Sequence, residues 1–413
     1  MTYTLIHNGT LIDGSGGDPI PDAAVLIQDN LIQEAGPRAA ISAPADATVI
    51  DAQGGFILPG FIDTHVHFML EGVNMAQMMG TPFSYNFYLA MDRMRRTIDA
   101  GITSVRDAGG ADLGLKKAVE DGLVVGPRMQ ISITPLSITG GHVDGWMPSG
   151  QTFALMAEYP GMPSPICDGV DEVRKKVREV LRAGADVIKV CSTGGVLSPT
   201  DHPEFTQFTV EELSVMVQEA AYRRGLKVMA HAQGTEGIKN AILAGIHSIE
   251  HGMFLDDETI GLMLEKGTYL APTLLAPLAV LEAVEGSGAM PEYGVRKARA
   301  TIDAHRDSIA RAYQAGVRIA MGTDAGVMPH GTNLRELGLM CGIGMSPMEA
   351  IVATTQVAAD CMGWGDRLGS LTPGKLADVV VAATDPLADI RSLESVDNIK
   401  LVVKDGRVLK NGF

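Results

Sequence analysis

The sequence predicts an α/β fold, a (β/α)8 barrel carrying a small β-sandwich domain built from both chain ends. Three observations predict it. A helix–Gly–strand unit recurs between residues 58 and 372. The stretches before and after that span are β-rich and lack the unit. Metal-ligand types of side chain fall at the ends of several of the recurring strands, and in such a barrel those ends form the active-site face.

The elements follow in order. Residues 3–14 and 24–32 alternate strand and turn, with Asn8-Gly9 as a hairpin signal. His7 reads as an ordinary strand residue. The recurring unit then begins. Gly101 precedes a strand at 102–107, Gly184 one at 186–189, and Gly225 one at 227–231. Gly245 precedes 246–251, Gly267 precedes 268–273, and Gly316 precedes 317–324. Glycine is the expected helix stop, because it takes the left-handed conformation without a Cβ clash. The helices are legible too. Residues 171–181 put Val173, Val177, Val180 and Leu181 on one stripe, and Thr209 with Glu212 makes a capping box.

Adding a strand that ends at His67 and one at 128–134 brings the strands to eight. An open doubly wound sheet would carry a G-x-G-x-x-G turn, and neither Gly109-Gly110 nor Gly194-Gly195 has that spacing. β texture returns at 377–382 and 399–408. The expected domains are therefore a discontinuous β-sandwich of residues 1–57 and 373–413, and a barrel of residues 58–372.

The bulk numbers agree with a globular enzyme. The chain has 413 residues, 46% hydrophobic and 20% charged. Its formal net charge of -16 opposes a nucleic-acid or anionic-membrane partner. No basic–apolar leader opens it and no apolar run reaches membrane-spanning length, so the cytoplasm is the expected location. Cys167, Cys191, Cys341 and Cys361 are scattered without a C-x-x-C and read as reduced thiols.

The chemistry gathers around the run Pro59-Gly60-Phe61-Ile62-Asp63-Thr64-His65-Val66-His67. Side chains two apart on a strand share a face, so both imidazoles can reach one metal. Lys189, His231, His251 and Asp324 end four further strands. Imidazole and carboxylate donors suit Zn²⁺ and related divalent metals. Each residue alone has a structural reading. Together those readings require chance to place the right types on five strands of one barrel.

These motifs, with Ser248-Ile249-Glu250-His251-Gly252, Gly322-Thr323-Asp324, the tail 371–380 and the opening 8–14, resemble the amidohydrolase superfamily over essentially the whole chain. They resemble its binuclear subtype in particular. The resemblance implies that His65 and His67 bind one metal with Asp324, and that His231 and His251 bind a second. Lys189, carboxylated by CO₂ to a carbamate, would bridge them. Two divalent ions, Zn²⁺ first among them, would activate a bridging hydroxide. Asp324 would take its proton and pass it to the leaving nitrogen.

Within the superfamily the chain looks most like the Xaa-Pro and Xaa-Arg dipeptidases and the N-acyl-amino-acid hydrolases, including ochratoxin-hydrolysing enzymes. That branch implies a hydrogen bond from His142 to the scissile carbonyl. It often carries Tyr or His where this chain has Gln233, which donates a hydrogen bond but transfers no proton. Arg106 is a candidate clamp for a substrate carboxylate, with a structural ion pair as its alternative. His330 is a candidate for the outer shell of the site, at its substrate side.

The expected function is hydrolysis of an amide bond to an amino acid, in a dipeptide or N-acyl amino acid, by a homo-oligomer. The alternative is hydrolysis of carbamates, ureas, cyclic amides or lactones on the same centre. A deaminase would generally use one metal without the lysine. A non-catalytic scaffold would lack ligands, and none of the six is missing.

Overall fold

The computed structural model describes residues 1–72, 74–147, 149–153, 159–287 and 292–413. The chain opens with strands β1 (Tyr3–Leu11), β2 (Ile20–Gln28), β3 (Leu31–Pro37), β4 (Thr48–Asp51) and β5 (Phe56–Pro59). Then come β6 (Phe61–Val66), β7 (Ile102–Asp107), β8 (Arg128–Ile131), β9 (Ile188–Cys191), β10 (Val228–Ala232), β11 (Ser248–His251) and β12 (Tyr269–Ala271), with helices between most of them. The last strands are β13 (Val379–Ala382), β14 (Ile399–Lys404) and β15 (Arg407–Asn411).

Both chain ends share one sheet, in the order β15-β14-β13-β5-β1-β2-β3, with β4 also on β1. β5 and β13 pair antiparallel, Pro59 opposite Val379. β-branched residues supply much of its core: Ile6, Val25, Ile27, Ile57, Val379 and Val381 pack into one buried cluster. The Asn8-Gly9 pair is not the hairpin turn its sequence suggests. β1 runs straight through it, Asn8 takes φ 60°, and the register with β2 shifts between His7 and Gly9. Asn tolerates left-handed backbone, so the dipeptide makes a bulge as readily as a turn.

The middle of the chain is parallel. β6, β7 and β8 form one sheet, and β9 to β12 another. Every residue of β6, β7, β9, β10, β11 and β12 is buried. That is the pattern of parallel strands covered on both faces. The glycines expected to stop the preceding helices (Gly101, Gly184, Gly225, Gly245, Gly267 and Gly316) all have positive φ. The capping box of Thr209 and Glu212 is formed, and the helix Gly169–Arg182 buries Val173, Val177 and Val180.

Two expected strands come out differently. The one at 128–134 stops at Ile131, because Ile133 turns left-handed at φ 68°. Contact resumes at Leu136, which bridges to Val190. The segment 317–324 is not a regular strand. It forms isolated bridges, Ile319 to Leu270 and, one residue beyond, Ala325 to Val66, and single backbone bonds such as Thr64 N–H to the Met321 carbonyl and Asp324 N–H to the His65 carbonyl. A Cβ on Gly322 would lie 2.9 Å from Thr64 Oγ1, so the backbone runs tight against β6 there. Asp324, at φ 63°, then breaks the ladder. Among the described residues no helix is long and apolar enough to cross a membrane.

Candidate active site

The ends of β6, β9, β10 and β11 and the Gly322–Asp324 turn bring six expected residues to one place. His65 Nε2 lies 3.6 Å from Asp324 Oδ1, and His67 Nε2 lies 3.3 Å from the same oxygen. The His65 ring centre is 5.2 Å from that of His251, which is 4.6 Å from that of His231. Lys189 Nζ sits 3.3 Å from His65 Nε2. Ligand atoms of His65, His251 and Asp324 fall within 4.8 Å of one another, a spacing that can hold a metal ion.

Each of the four imidazoles has one nitrogen already engaged. His65 Nδ1 bonds Glu250 Oε2 at 2.8 Å, and His67 Nδ1 bonds the Gly109 carbonyl at 2.8 Å. His231 Nε2 bonds the Gly194 carbonyl at 3.0 Å, and His251 Nδ1 bonds Thr273 Oγ1 at 2.7 Å. Where the engaged nitrogen carries the hydrogen, the other nitrogen of the ring keeps its lone pair, which at His65 Nε2 faces Lys189 Nζ. An outer partner of this kind fixes the ring angle and tautomer of a ligating histidine. Burial, seconded by Lys189, lowers the His65 pKa to about 4, which favours the neutral ring that metal ligation needs.

Lys189 is buried, and among the described residues no carboxylate pairs with its Nζ. Burial is the largest influence on it and lowers its pKa, against the pull of Glu250. A bare ammonium among imidazoles and an aspartate tuned for ligation would repel a metal. An oxygen-bearing carbamate on the same nitrogen matches the donor set.

Above these residues opens a cavity of about 940 Å³, including its mouth. Its wall is apolar, with Leu70, Val143, Val196, Leu197, Met253 and Val280. Two of the four expected substrate-side residues line it, His142 and Gln233. Gln233 is buried and its Oε1 has no hydrogen-bond partner. The other two lie elsewhere. Arg106 is fully buried beneath the candidate metal-ligand cluster, where it donates to Glu250 Oε1 at 2.9 Å and to the Thr64 carbonyl at 2.8 Å. Its guanidinium is used by an internal ion pair and is not presented to a substrate carboxylate. His330 stacks on Phe68 and turns Nε2 to the carbonyls of His67 and Leu70, off the cavity wall.

Sequence reading missed several supporting residues. Glu250 sits next to His251 in the Ser-Ile-Glu-His motif, yet points to the opposite side and holds His65. Asp63 accepts from the His65 and Thr323 amides through Oδ1 and from Thr323 Oγ1 and Asn333 Nδ2 through Oδ2. It thereby ties the His-X-His strand to the Asp324 turn. His305 lies in the helix Glu292–Gln314. It is buried under His251, and its Nε2 bonds the carbonyls of His251 and Pro272, both at 2.9 Å. Only the alternation of Asp63 with His65 and His67 gave a signal for any of these.

Comparison with known proteins agrees with this geometry. The model of the amidohydrolase family matches residues 56–409. An ochratoxinase of Aspergillus niger is 36% identical over 98% of this chain and 86% of its own length. The crystal structure of a Xaa-Pro dipeptidase with methionine bound in its active site is 36% identical, with TM-score 0.89 over 99% of this chain and 100% of that one. A prolidase complexed with N-methylphosphonate-L-proline is 33% identical, with TM-score 0.91 over the same shares of the two chains. With both the family match and the ochratoxinase likeness spanning most of its length, the chain belongs to the amidohydrolase family, in its ochratoxinase-like branch, and is a hydrolase acting on C–N bonds.

Proposed function

We propose that this hydrolase cleaves an amide bond to an amino acid, in a dipeptide or an N-acyl amino acid, at a centre for two divalent metal ions. The observation that carries the reading is the convergence of four imidazoles, one carboxylate and one buried lysine. Each imidazole already has one nitrogen engaged. His65, His67 and Asp324 would hold one ion and His231 with His251 the other, with a carboxylated Lys189 between them. When bound, such ions (Zn²⁺ by donor type) supply Lewis acidity and a water acidic enough to attack at neutral pH.

The chain's own residues do the rest. Asp324 sits where it can take the proton of the attacking water and hand it to the leaving nitrogen. His142 presents a ring nitrogen to the substrate from the cavity wall. The apolar wall receives the groups on either side of the amide and keeps bulk water away from the reacting atoms. The likeness to an ochratoxinase and to Xaa-Pro dipeptidases supports an amino acid on one side of the scissile bond.

We further propose that the two parallel sheets belong to one (β/α)8 barrel of residues 58–372. The bridges Leu136–Val190, Leu270–Ile319 and Val66–Ala325 support this reading. Residues 1–57 and 373–413 would form the accessory β-domain.

The test is hydrolysis of a panel by protein loaded with Zn²⁺ in bicarbonate. The panel holds Xaa-Pro and Xaa-Arg dipeptides, N-acyl amino acids, an aryl carbamate, a hydantoin and a lactone. Turnover of the dipeptides or acyl amino acids is the expected result. Turnover of the carbamate or cyclic compounds alone would replace the substrate class and keep the centre. That second reading is favoured by one observation: among the described residues the cavity is lined by no arginine and by no lysine other than Lys189.

A further inference from the structure

We infer that Asp201 is a positioning residue of this site, which acts through Ser198 to hold the His142 ring with Nε2 left free for the substrate. The inference rests on the reading of the cavity as a hydrolytic site.

His142 Nδ1 lies 2.9 Å from Ser198 Oγ and 3.5 Å from Asp201 Oδ2. Ser198 in turn donates its hydroxyl proton to Asp201 Oδ1 in a short hydrogen bond. A hydroxyl that gives its proton to a carboxylate can only accept from the ring, so Nδ1 carries the hydrogen. That leaves Nε2 as the one ring nitrogen available to the cavity that His142 lines. Burial works against charge on Asp201. The bonds from His142 and Ser198 and the nearby Lys297 ammonium outweigh it and push the carboxyl down to about 2.

The ring is fixed on its faces as well. One face stacks on His231, with centres 4.2 Å apart and planes at 19°. The ring also presses against Gly195, where a Cβ would come within 2.1 Å of His142 Cε1. The loop that carries these groups is anchored from below. Lys297, buried on the helix Glu292–Gln314, donates to the carbonyls of Gly195, Ser198 and Asp201 at 2.9, 2.8 and 2.6 Å. Asp201 Oδ2 also takes the Gly195 amide at 3.2 Å and Gln207 Nε2 at 3.4 Å. A buried carboxylate, a buried ammonium and a glycine without room for a methyl thus converge on one imidazole.

The experiment compares the Zn²⁺-loaded full chain with Asp201→Asn, Ser198→Ala, Gly195→Ala and His142→Ala, on whichever panel member the wild type turns over best. Asp201→Asn and Ser198→Ala are expected to lower kcat by about 10- to 100-fold with KM within about twofold, at unchanged metal content. Ser198→Thr, which keeps the hydroxyl, should recover most of that loss. Asp201→Asn added to His142→Ala should cost nothing more, because its effect passes through the ring. The His142 imidazole resonances give a readout independent of turnover and of metal, and should shift in Asp201→Asn and Ser198→Ala. A loss that adds fully to that of His142→Ala, or an unshifted ring signal, overturns the inference. If the wild type hydrolyses nothing on the panel, the proposed function fails instead, and the ring signal alone decides the positioning.

Discussion

His65 and Arg106 grip the same buried carboxylate from two sides: Glu250 takes the imidazole Nδ1 on Oε2 at 2.8 Å and the guanidinium on Oε1 at 2.9 Å. Ser248 Oγ adds a third bond to Oε1 at 2.6 Å. Burial alone would raise the Glu250 pKa, but the Arg106 charge and the His65 bond hold it far below the usual carboxylate range. An arginine expected at the substrate therefore acts one layer down, on the orientation of a candidate metal ligand.

Glu250→Gln should accordingly be costly twice. It strips the charge opposite a buried guanidinium, and breaking such a pair costs about 3–5 kcal/mol. It also loosens the outer partner of His65, which lowers metal affinity roughly 10- to 100-fold. Urea denaturation of the metal-free protein reads the first effect. Competition with a Zn²⁺ chelator reads the second. Wild-type values in both would show that Glu250 carries no strain of this kind.

Asp324→Asn keeps the shape of the side chain and one ligating oxygen, but cannot take a proton. With two metals still bound per chain, kcat should fall by about 10²- to 10⁴-fold. Metal analysis alongside steady-state kinetics checks this. Near wild-type turnover at full metal content would remove Asp324 from the proton transfer.

Lys189→Ala should bind fewer than two metals per chain. In the wild type, labelled ¹³CO₂ should give a carbamate carbon signal that the variant lacks. Protein prepared without CO₂ should take up less metal than protein prepared in bicarbonate. Equal uptake under both conditions would leave Lys189 as an ordinary amine.

Stability should depend on pH through Glu336, which is buried and accepts the amides of Leu274 and Leu275 at 2.7 and 2.8 Å. Burial outweighs those two bonds and raises its pKa from 4.5 to about 8. The folded state therefore holds the proton more tightly than the unfolded one. The resulting stabilisation is complete below the unfolded pKa and is lost as pH rises through about 8. Glu336→Gln should cost about 1–3 kcal/mol at acidic pH, because one of the two amides loses its acceptor. It should also flatten the fall between acidic and alkaline pH. Denaturation series of both proteins across that range test the slope, and parallel slopes would contradict it.

Much of the site was legible because period two is a strong rule on a strand. His65 and His67 share a face, and Asp63 follows the same alternation. The rule fails where the backbone leaves the strand conformation. His251 has φ 73° and Asp324 φ 63°. A left-handed residue at a strand end aims its side chain in a direction that spacing does not encode. Such conformations cost non-glycine residues of order 1–3 kcal/mol and cluster at functional sites. Sequence left Arg106 open between a substrate clamp and an ion pair for a related reason: a charged residue at a strand end reads either way until its partner, here Glu250, is seen. The alternation of helices with buried parallel strands was clear from the helix–Gly–strand repeat. The irregular last strand was not, because the glycine that lets it press on β6 looks like any other.

The sheet that joins β5 to β13 has a consequence for how the protein is made. Pro59 and Val379 are opposite each other in the sheet yet emerge from the ribosome 320 residues apart, about a minute at the slower rates of synthesis. Throughout that interval the β5 edge stands open, a template for any strand that comes by. The apolar positions Ile57 and Leu58 on that edge are buried once β13 arrives. The nascent chain thus depends on its last segment to close its first. A chain arrested before β13 would keep all six candidate metal-ligand residues and still be left with a sticky edge, a substrate for chaperones rather than an enzyme.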